Sequence, residues 1–292
     1  MQKRPSAGGK GAAMKQKKLK RAAVLLLAGA ALLCCAAAES RYRLTVTRYE
    51  LSFETLPAEF DGLRIVHLSD LHGMSFGRDN RRLAAAVRAL EPDIIALTGD
   101  FAGSADELPA AEALLRELSG TAEIYWVNGN HEWTQCPTAP DMEALVESFG
   151  GVSLDDGFVT LRRGEAEIVV AGSDDPNTWH GHTAPEELAQ RLRAQYPETF
   201  TLWLGHRNFW VRDYPGLPVD LVLSGHGHGG VIRLPGIGGL LDAGRSLGAK
   251  YDTGLYRGGS FIMEVSRGLG NSAAVPRLFN PPEIVLLTLR AA

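Results

Sequence analysis

Eight polar side chains in five short blocks of this chain have the chemistry of a metal centre: Asp70 and His72, Asp100, Asn130 and His131, His206, and His226 and His228. Carboxylate, imidazole and amide oxygen donors in combination suit borderline divalent cations such as Mn2+, Fe2+ or Zn2+ better than a site built for Mg2+ alone. A glycine borders every block, so the backbone can turn sharply and aim the side chain inward rather than back along its strand. Singly, each residue has an ordinary explanation: an Asp after a strand caps a turn, and a loop His is a hydrogen-bonded polar residue. Five strand ends carrying such groups in one chain point to one site. Ser69 and Ser224 border the blocks, but no histidine and acid stand in sequence to activate them, so they read as loop formers. Gly129 and the glycines of residues 266–270 lack the spacing of a nucleotide-binding loop, which argues against hydride transfer.

The blocks require elements to position them. Short β-branched runs at 63–68, 94–97, 124–127, 167–170, 201–204 and 219–223 read as strands. Apolar-periodic stretches at 80–90, 108–118, 142–149 and 186–192 read as helices. This βαβα order predicts an α/β fold with a mainly parallel core sheet, whose strands present their carboxyl ends along one edge. Ligands bind at that edge in open parallel sheets. Two further strands, 261–265 and 283–289, have no helix between them and suggest a second, more antiparallel sheet alongside. One domain over residues 44–292 accounts for the pattern.

With 292 residues, 45% apolar and 22% charged, the chain is ample for a large core and unlike a disordered tail or a disulfide scaffold. The net charge of −4 hides a split, since residues 1–21 carry eight bases and no acid while the remainder holds 22 bases and 34 acids. Such a body has no general affinity for nucleic acid, and no binding to it is expected. Residues 22–38 are uncharged and long enough, at about 1.5 Å per residue, for a short bilayer span. Positive charge before the span predicts a basic cytosolic tail (1–21), a single-pass anchor (22–38) and a catalytic domain outside the cytosol in the cell membrane. Cleavage near Ala36, Ala37 and Ala38, releasing a secreted protein, is the alternative. Cys34 and Cys35 fit a lipoprotein acceptor poorly, and Cys136 stands alone in the body, so no disulfide framework can be drawn. No obligate protein partner is indicated.

The blocks Asp70-Leu71-His72, Gly99-Asp100, Gly129-Asn130-His131-Glu132, His206 and Gly225-His226-Gly227-His228 resemble, in order, the motifs of the calcineurin-like metallophosphoesterases. The start of the chain, the stretch from Ser69 to Leu83, the block around Asp174 and the tail from Val265 look like the bacterial membrane-associated branch of that family. The resemblance implies a four-layer α/β/β/α sandwich holding two divalent metal ions. Asp70, His72 and His228 would ligate one, Asn130, His206 and His226 the other, and Asp100 would bridge them through its two oxygens. His131 would contact the phosphoryl oxygen or assist the leaving group. The implied activity is phosphoester hydrolysis by metal-activated water, with a phosphodiester of the cell envelope or a lipid-linked phosphate as substrate. Relatives acting on the pyrophosphate of UDP-2,3-diacylglucosamine supply an alternative, and a tethered scaffold that has lost turnover is the non-enzymatic one. Three positions depart from the family pattern: no second Asp follows Asp100, Gly227 stands where Thr is usual, and Arg207 follows His206 where Pro is frequent. They bear on loop shape and substrate rather than on metal binding.

Other polar and aromatic residues have plainer expectations. Glu132 is placed to orient a neighbour, His67 to be a satisfied core histidine, and His180 and His182 to face solvent or contact substrate at the rim. Trp203, Phe209, Trp210 and Tyr214 could form a substrate wall or ordinary packing. The glycine-rich residues 236–254 read as a connecting loop with a lid as the alternative.

Overall fold

The computed structural model describes residues 8–134, 138–241, 247–272 and 275–292, so Cys136 lies outside the described residues. Helix α1 (Gly8–Tyr42) contains the apolar stretch and continues past its acidic end. Within it, Met14–Tyr42 has a mean hydropathy of 2.2 over its most apolar window, long and apolar enough to cross a membrane or serve as a signal sequence. A sheet-edge strand, β1 (Thr45–Phe53), follows after two residues.

The body then alternates as its periodicity requires: β2 (Leu63–Leu68), α2 (Arg81–Arg88), β3 (Ile94–Thr98), α3 (Leu108–Leu118), β4 (Glu123–Val127), the short α4 (Asn130–Trp133), α5 (Ala139–Ser148) and β5 (Val152–Ser153). A hairpin of β6 (Gly157–Arg163) and β7 (Ala166–Ser173) leads to α6 (Pro185–Gln195), β8 (Thr201–Gly205), α7 (Trp210–Asp213) and β9 (Leu221–Ser224). The small pair β10 (Arg233–Leu234) and β11 (Gly238–Gly239) precedes β12 (Gly254–Arg257), β13 (Ile262–Val265) and β14 (Glu283–Ala291).

The strands form two six-stranded sheets, in the orders β1-β14-β2-β3-β4-β5 and β12-β13-β9-β8-β7-β6. Two sheets were expected, but the second, expected to be more antiparallel, is mainly parallel as well. Strands β2 to β5 run parallel in the first sheet, and β7, β8, β9 and β13 run parallel in the second. The last strand does not join the second sheet but enters the first, antiparallel to β2 and parallel to β1.

Alternation along the strands explains the layers. Ile65, Ile94, Tyr125 and Val127 face Ile168, Val170, Leu202, Leu204, Leu221 and Leu223 across the space between sheets. Their neighbours Val66, Leu68, Ile95, Leu97 and Trp126 point the other way onto Leu83, Val87, Leu114, Leu118 and Met142 of the helices. On the far side, Val169, Trp203, Val222 and Met263 pack on Leu188, Leu192 and Trp210. Strands buried on both faces read as continuous apolar runs, which is how 94–97 (IIAL) looks in sequence. The result is the expected four-layer α/β/β/α sandwich, preceded by one apolar helix.

Candidate metal centre

All five blocks meet where the carboxyl ends of β2, β3 and β4 in one sheet face those of β8 and β9 in the other. The loops are tied to each other before any side chain is considered. The N–H groups of Asp70 and His72 donate to the carbonyls of Gly99 and Asp100 at 3.0 Å, and Gly225 donates to the His206 carbonyl at 3.0 Å. At Gly225 a Cβ would collide with the side chains of Ser69 and Asp70, so only glycine allows this approach.

Asp70, His72, Asp100, His226 and His228 all have positive φ, between 45 and 66°. Non-glycine residues in the left-handed region are uncommon and cost roughly 1–3 kcal/mol each, so they persist only where their surroundings over-determine them. Here the surroundings include a buried carboxylate. Glu132 accepts hydrogen bonds from the N–H groups of Asp100, Phe101, Ala102 and Gly129 at 2.7–3.0 Å, fixing the β3 and β4 loops together. Burial and the nearby Asp100 push its carboxyl up to about 7 against the pull of those N–H groups.

The side chains gather into two groups that could each hold a metal ion: Asp70, His72, Asp100 and His228, and Asp100, His206 and His226. Asn130 joins the second, its Oδ1 lying 3.1 Å from His206 Nε2. Of the seven residues predicted as ligands, six lie in these groups and Asn130 lies beside the second. Asp100 is shared: Oδ1 accepts the His131 N–H at 2.8 Å, and Oδ2 faces His206 Nε2 at 3.1 Å and His72 Nε2 at 3.7 Å. The His131 ring belongs to neither group and sits edge-on to His72, with ring centroids 4.8 Å apart.

These donors fit a divalent cation. His72 Nε2 is buried without a hydrogen-bond partner, and its nearest carboxylate oxygens stand at 3.7 and 4.0 Å, too far for a hydrogen bond. Burial pushes the His72 imidazole down to about 3 and also lowers His228 and His226, leaving neutral rings with lone pairs to offer. His206 is the exception. Burial opposes its protonation, but Asp100 outweighs that and raises it to about 10, while His206 and His72 hold Asp100 well below the usual carboxylate range despite its own burial. His206 Nδ1 faces the Thr98 carbonyl at 2.8 Å, an acceptor that fixes Nδ1 as the protonated nitrogen and directs Nε2 at the group.

Behind the centre, His67 is fully buried between the sheets, with Nδ1 2.5 Å from Glu264 Oε2 and Nε2 2.7 Å from Thr98 Oγ1. It is the satisfied core histidine expected, and its acid partner on β13 went unrecognised in the sequence. Ser69 and Ser224 are fully buried, as loop formers. His180 is exposed and edge-on to Trp133, whereas His182 lies 3.5 Å from Asp156 and lines a cavity of about 250 Å³ that reaches His206. Phe209, Trp210 and Tyr214 form its aromatic wall, while Trp203 packs in the outer core. Arg207 also lines this cavity and is clamped by Asp175 at 2.6 and 3.0 Å, a pair with no signal in the sequence. Within 236–254, Asp252 accepts from Arg233 at 2.6 Å and from the Gly239 N–H at 2.8 Å, tying that segment to the β10–β11 pair.

Residues 63–230 match the family described as calcineurin-like phosphoesterase. The chain is 29% identical to YkuE of Bacillus subtilis, an uncharacterised metallophosphoesterase, over 86% of this chain and 87% of that protein. It is 31% identical to a bovine transmembrane protein with a metallophosphoesterase domain, over 85% of this chain and 57% of that one, so the likeness is not confined to bacteria. It is also 24% identical to LpxG of Chlamydia trachomatis, a UDP-2,3-diacylglucosamine pyrophosphatase, over 84% of this chain and 88% of that one.

Proposed function

The chain belongs to the calcineurin-like phosphoesterase family, and on that premise we propose that it is a membrane-anchored phosphodiesterase acting on a cell-envelope or lipid-linked phosphate. It is a metal-dependent phosphoesterase with a dinuclear metal cofactor. The observation that carries the reading is the pair of ligand groups sharing Asp100 Oδ2, with the His131 ring beside them. Asp70, His72 and His228 would hold one cation, Asn130, His206 and His226 the other, and Asp100 would serve both. The chemistry two bound cations would supply there is polarisation of a phosphoryl oxygen, a lowered pKa for a water and an offset to the charge that grows at phosphorus. His131 donates a hydrogen bond to a nonbridging oxygen or a proton to the leaving oxygen, and Glu132 keeps the Asp100 and Asn130 loops in register. No side-chain nucleophile is needed, and with Asp100 and His131 both in place a scaffold without turnover has no support.

Localisation narrows the substrate. The eight bases before the apolar stretch support a topology with the N-terminus in the cytosol, α1 in the membrane and residues 44–292 outside, within reach of envelope phosphodiesters rather than cytosolic nucleotides. The likeness to LpxG supports the second reading, hydrolysis of UDP-2,3-diacylglucosamine or a related lipid pyrophosphate. The test is a side-by-side assay of the full chain in detergent with bis-p-nitrophenyl phosphate, p-nitrophenyl phosphate and UDP-2,3-diacylglucosamine after Mn2+ loading. Preference for the diester supports the first reading. Turnover confined to the sugar nucleotide lipid replaces it with the second, and turnover of the monoester alone contradicts both.

A further inference from the structure

The end of α1 does not trail away from the body. Ala36 and Ser40 are buried, the Asn280 N–H donates to Ser40 Oγ at 3.2 Å, and Arg82 donates to the Tyr42 carbonyl at 3.3 Å. Between this docked end and the loop after β13 lies a cavity of about 360 Å³, lined by Ala37, Ser40 and Arg41 of the helix and by Met74, Leu269 and Arg277 of the body.

Its charge is one-sided. Arg277 is only 5% exposed, yet among the described residues its guanidinium donates to oxygens of Gly268, Gly270 and Asn280 and to no carboxylate, and burial lowers it no further than about 10, so it stays a cation. Arg41 lies over the Tyr42 ring, 5.6 Å from its centroid. Among the described residues no carboxylate pairs with either arginine. Asp70 and Glu283 act on Arg277 only at a distance, without a direct contact, so an anion in the cavity would add the paired contact that the surrounding carbonyls do not supply.

Its position is equally specific. The floor is the back of the loop that carries Asp70 and His72: Leu269 and Gly270 donate to the Ser69 and Asp70 carbonyls at 3.0 and 2.6 Å, and Ser272 Oγ stands 3.5 Å from His228 Nε2. The roof is the last turn of the apolar helix, just past the uncharged residues 22–38; with that stretch in a bilayer, this turn would meet the lipid phosphates, where arginine and tyrosine anchor spans.

We propose that this cavity binds the phosphate headgroup of an anionic lipid of the bilayer that α1 crosses, between Arg41 and Arg277, holding it next to the metal centre. The proposal rests on the reading of the chain as a membrane-anchored phosphoesterase, and it makes the substrate or activator a lipid presented from the bilayer. The apolar wall of Ala37, Met74 and Leu269 faces the glycerol and first acyl carbons.

The test reads binding, not turnover. A fluorescent short-chain phosphatidylglycerol is titrated onto the full chain in neutral detergent, with Arg41→Gln, Arg41→Lys and, as a control on an exposed helix, Arg191→Gln. Loss of one charge-assisted contact predicts a Kd about tenfold weaker for Arg41→Gln, little change for Arg41→Lys and none for Arg191→Gln. Glycerol 3-phosphate, which lacks acyl chains, displaces the probe poorly. An unchanged Kd in Arg41→Gln, or displacement by glycerol 3-phosphate as effective as by unlabelled phosphatidylglycerol, overturns the proposal. Absence of metal-dependent turnover in the wild type overturns the phosphoesterase reading instead, and the binding result stands apart from it.

Discussion

The space between the two sheets has two ends of opposite character. In its middle, Ile65, Ile94, Leu202, Leu204, Leu221 and Leu223 are fully buried on extended strands. A few residues further along the same strands, Asp70, His72, Asp100, His226 and His228 have left-handed backbone, and His72 Nε2 and His228 Nδ1 are buried without partners. The middle is apolar and regular, whereas the edge breaks several rules of a stable interior at once. That contrast identifies where function sits: strain and unpaired polar atoms are retained at the edge because a cation and a phosphate can use them, and the apolar middle supplies the stability that tolerates them.

Substitutions separate the two ends. The largest expected effect is that of Asp100→Asn, which removes the oxygen shared by both ligand groups: metal content by elemental analysis drops at both sites and hydrolysis falls to background. In the middle, Leu223→Ala should cost about 2–5 kcal/mol of stability in a denaturant titration, as expected for a buried leucine, while turnover per folded, metal-loaded molecule is unchanged. His131→Ala should keep both metals and lower turnover by about 10²-fold or more, the contribution of a positioned proton donor. Full activity in the metal-loaded variant contradicts its role.

His67 lies where the two ends join. His67→Gln breaks the contacts to Glu264 and Thr98 without touching a ligand, and we expect about 1–3 kcal/mol of stability loss with metal affinity weakened by less than about tenfold. A variant that loses metal as completely as Asp100→Asn would place His67 in the centre rather than behind it.

The smallest effect concerns the rim. Asp156 raises His182 through their ion pair; conversely, burial of Asp156 is outweighed by His182 and by the Thr183 and Asp174 N–H groups, which lower it. The His182 contribution is present below its unfolded value and is lost as pH rises through the raised one. The Asp156 contribution is present above its unfolded value and is lost as pH falls through the lowered one. The pair therefore helps most in the window between the two ordinary values, about 4 to 6.5, by a few tenths of a kcal/mol given its partial exposure. His182→Ala should flatten the pH dependence of stability there and nowhere else.

Much of the centre was legible because its residues fall where strands stop and glycines begin, and each block carries its chemistry in two to four neighbouring residues. The layering was less legible. Periodicity placed most strands, yet nothing local says that β14 inserts between β1 and β2 rather than lying beside β13. The edge strands β1 and β6 were missed because edge strands carry mixed polar and apolar residues without a clear period, as in TVTRYELSF. The Glu264 partner of His67 had one faint signal, an acid inside an otherwise apolar strand. The division of Asp100, with one oxygen on the His131 N–H and the other between the ligand groups, depends on loop conformation and could not be read from residue types.

Chelation followed by metal return tests the central claim most directly. The full chain in detergent is stripped of metal, assayed with bis-p-nitrophenyl phosphate, reloaded with Mn2+ while bound metal is counted, and compared with Asp100→Asn treated alike. The account predicts two equivalents bound and turnover restored in the wild type, with neither in the variant. Restored turnover in Asp100→Asn, or two bound metals in the wild type with no hydrolysis of any phosphoester offered, would contradict it.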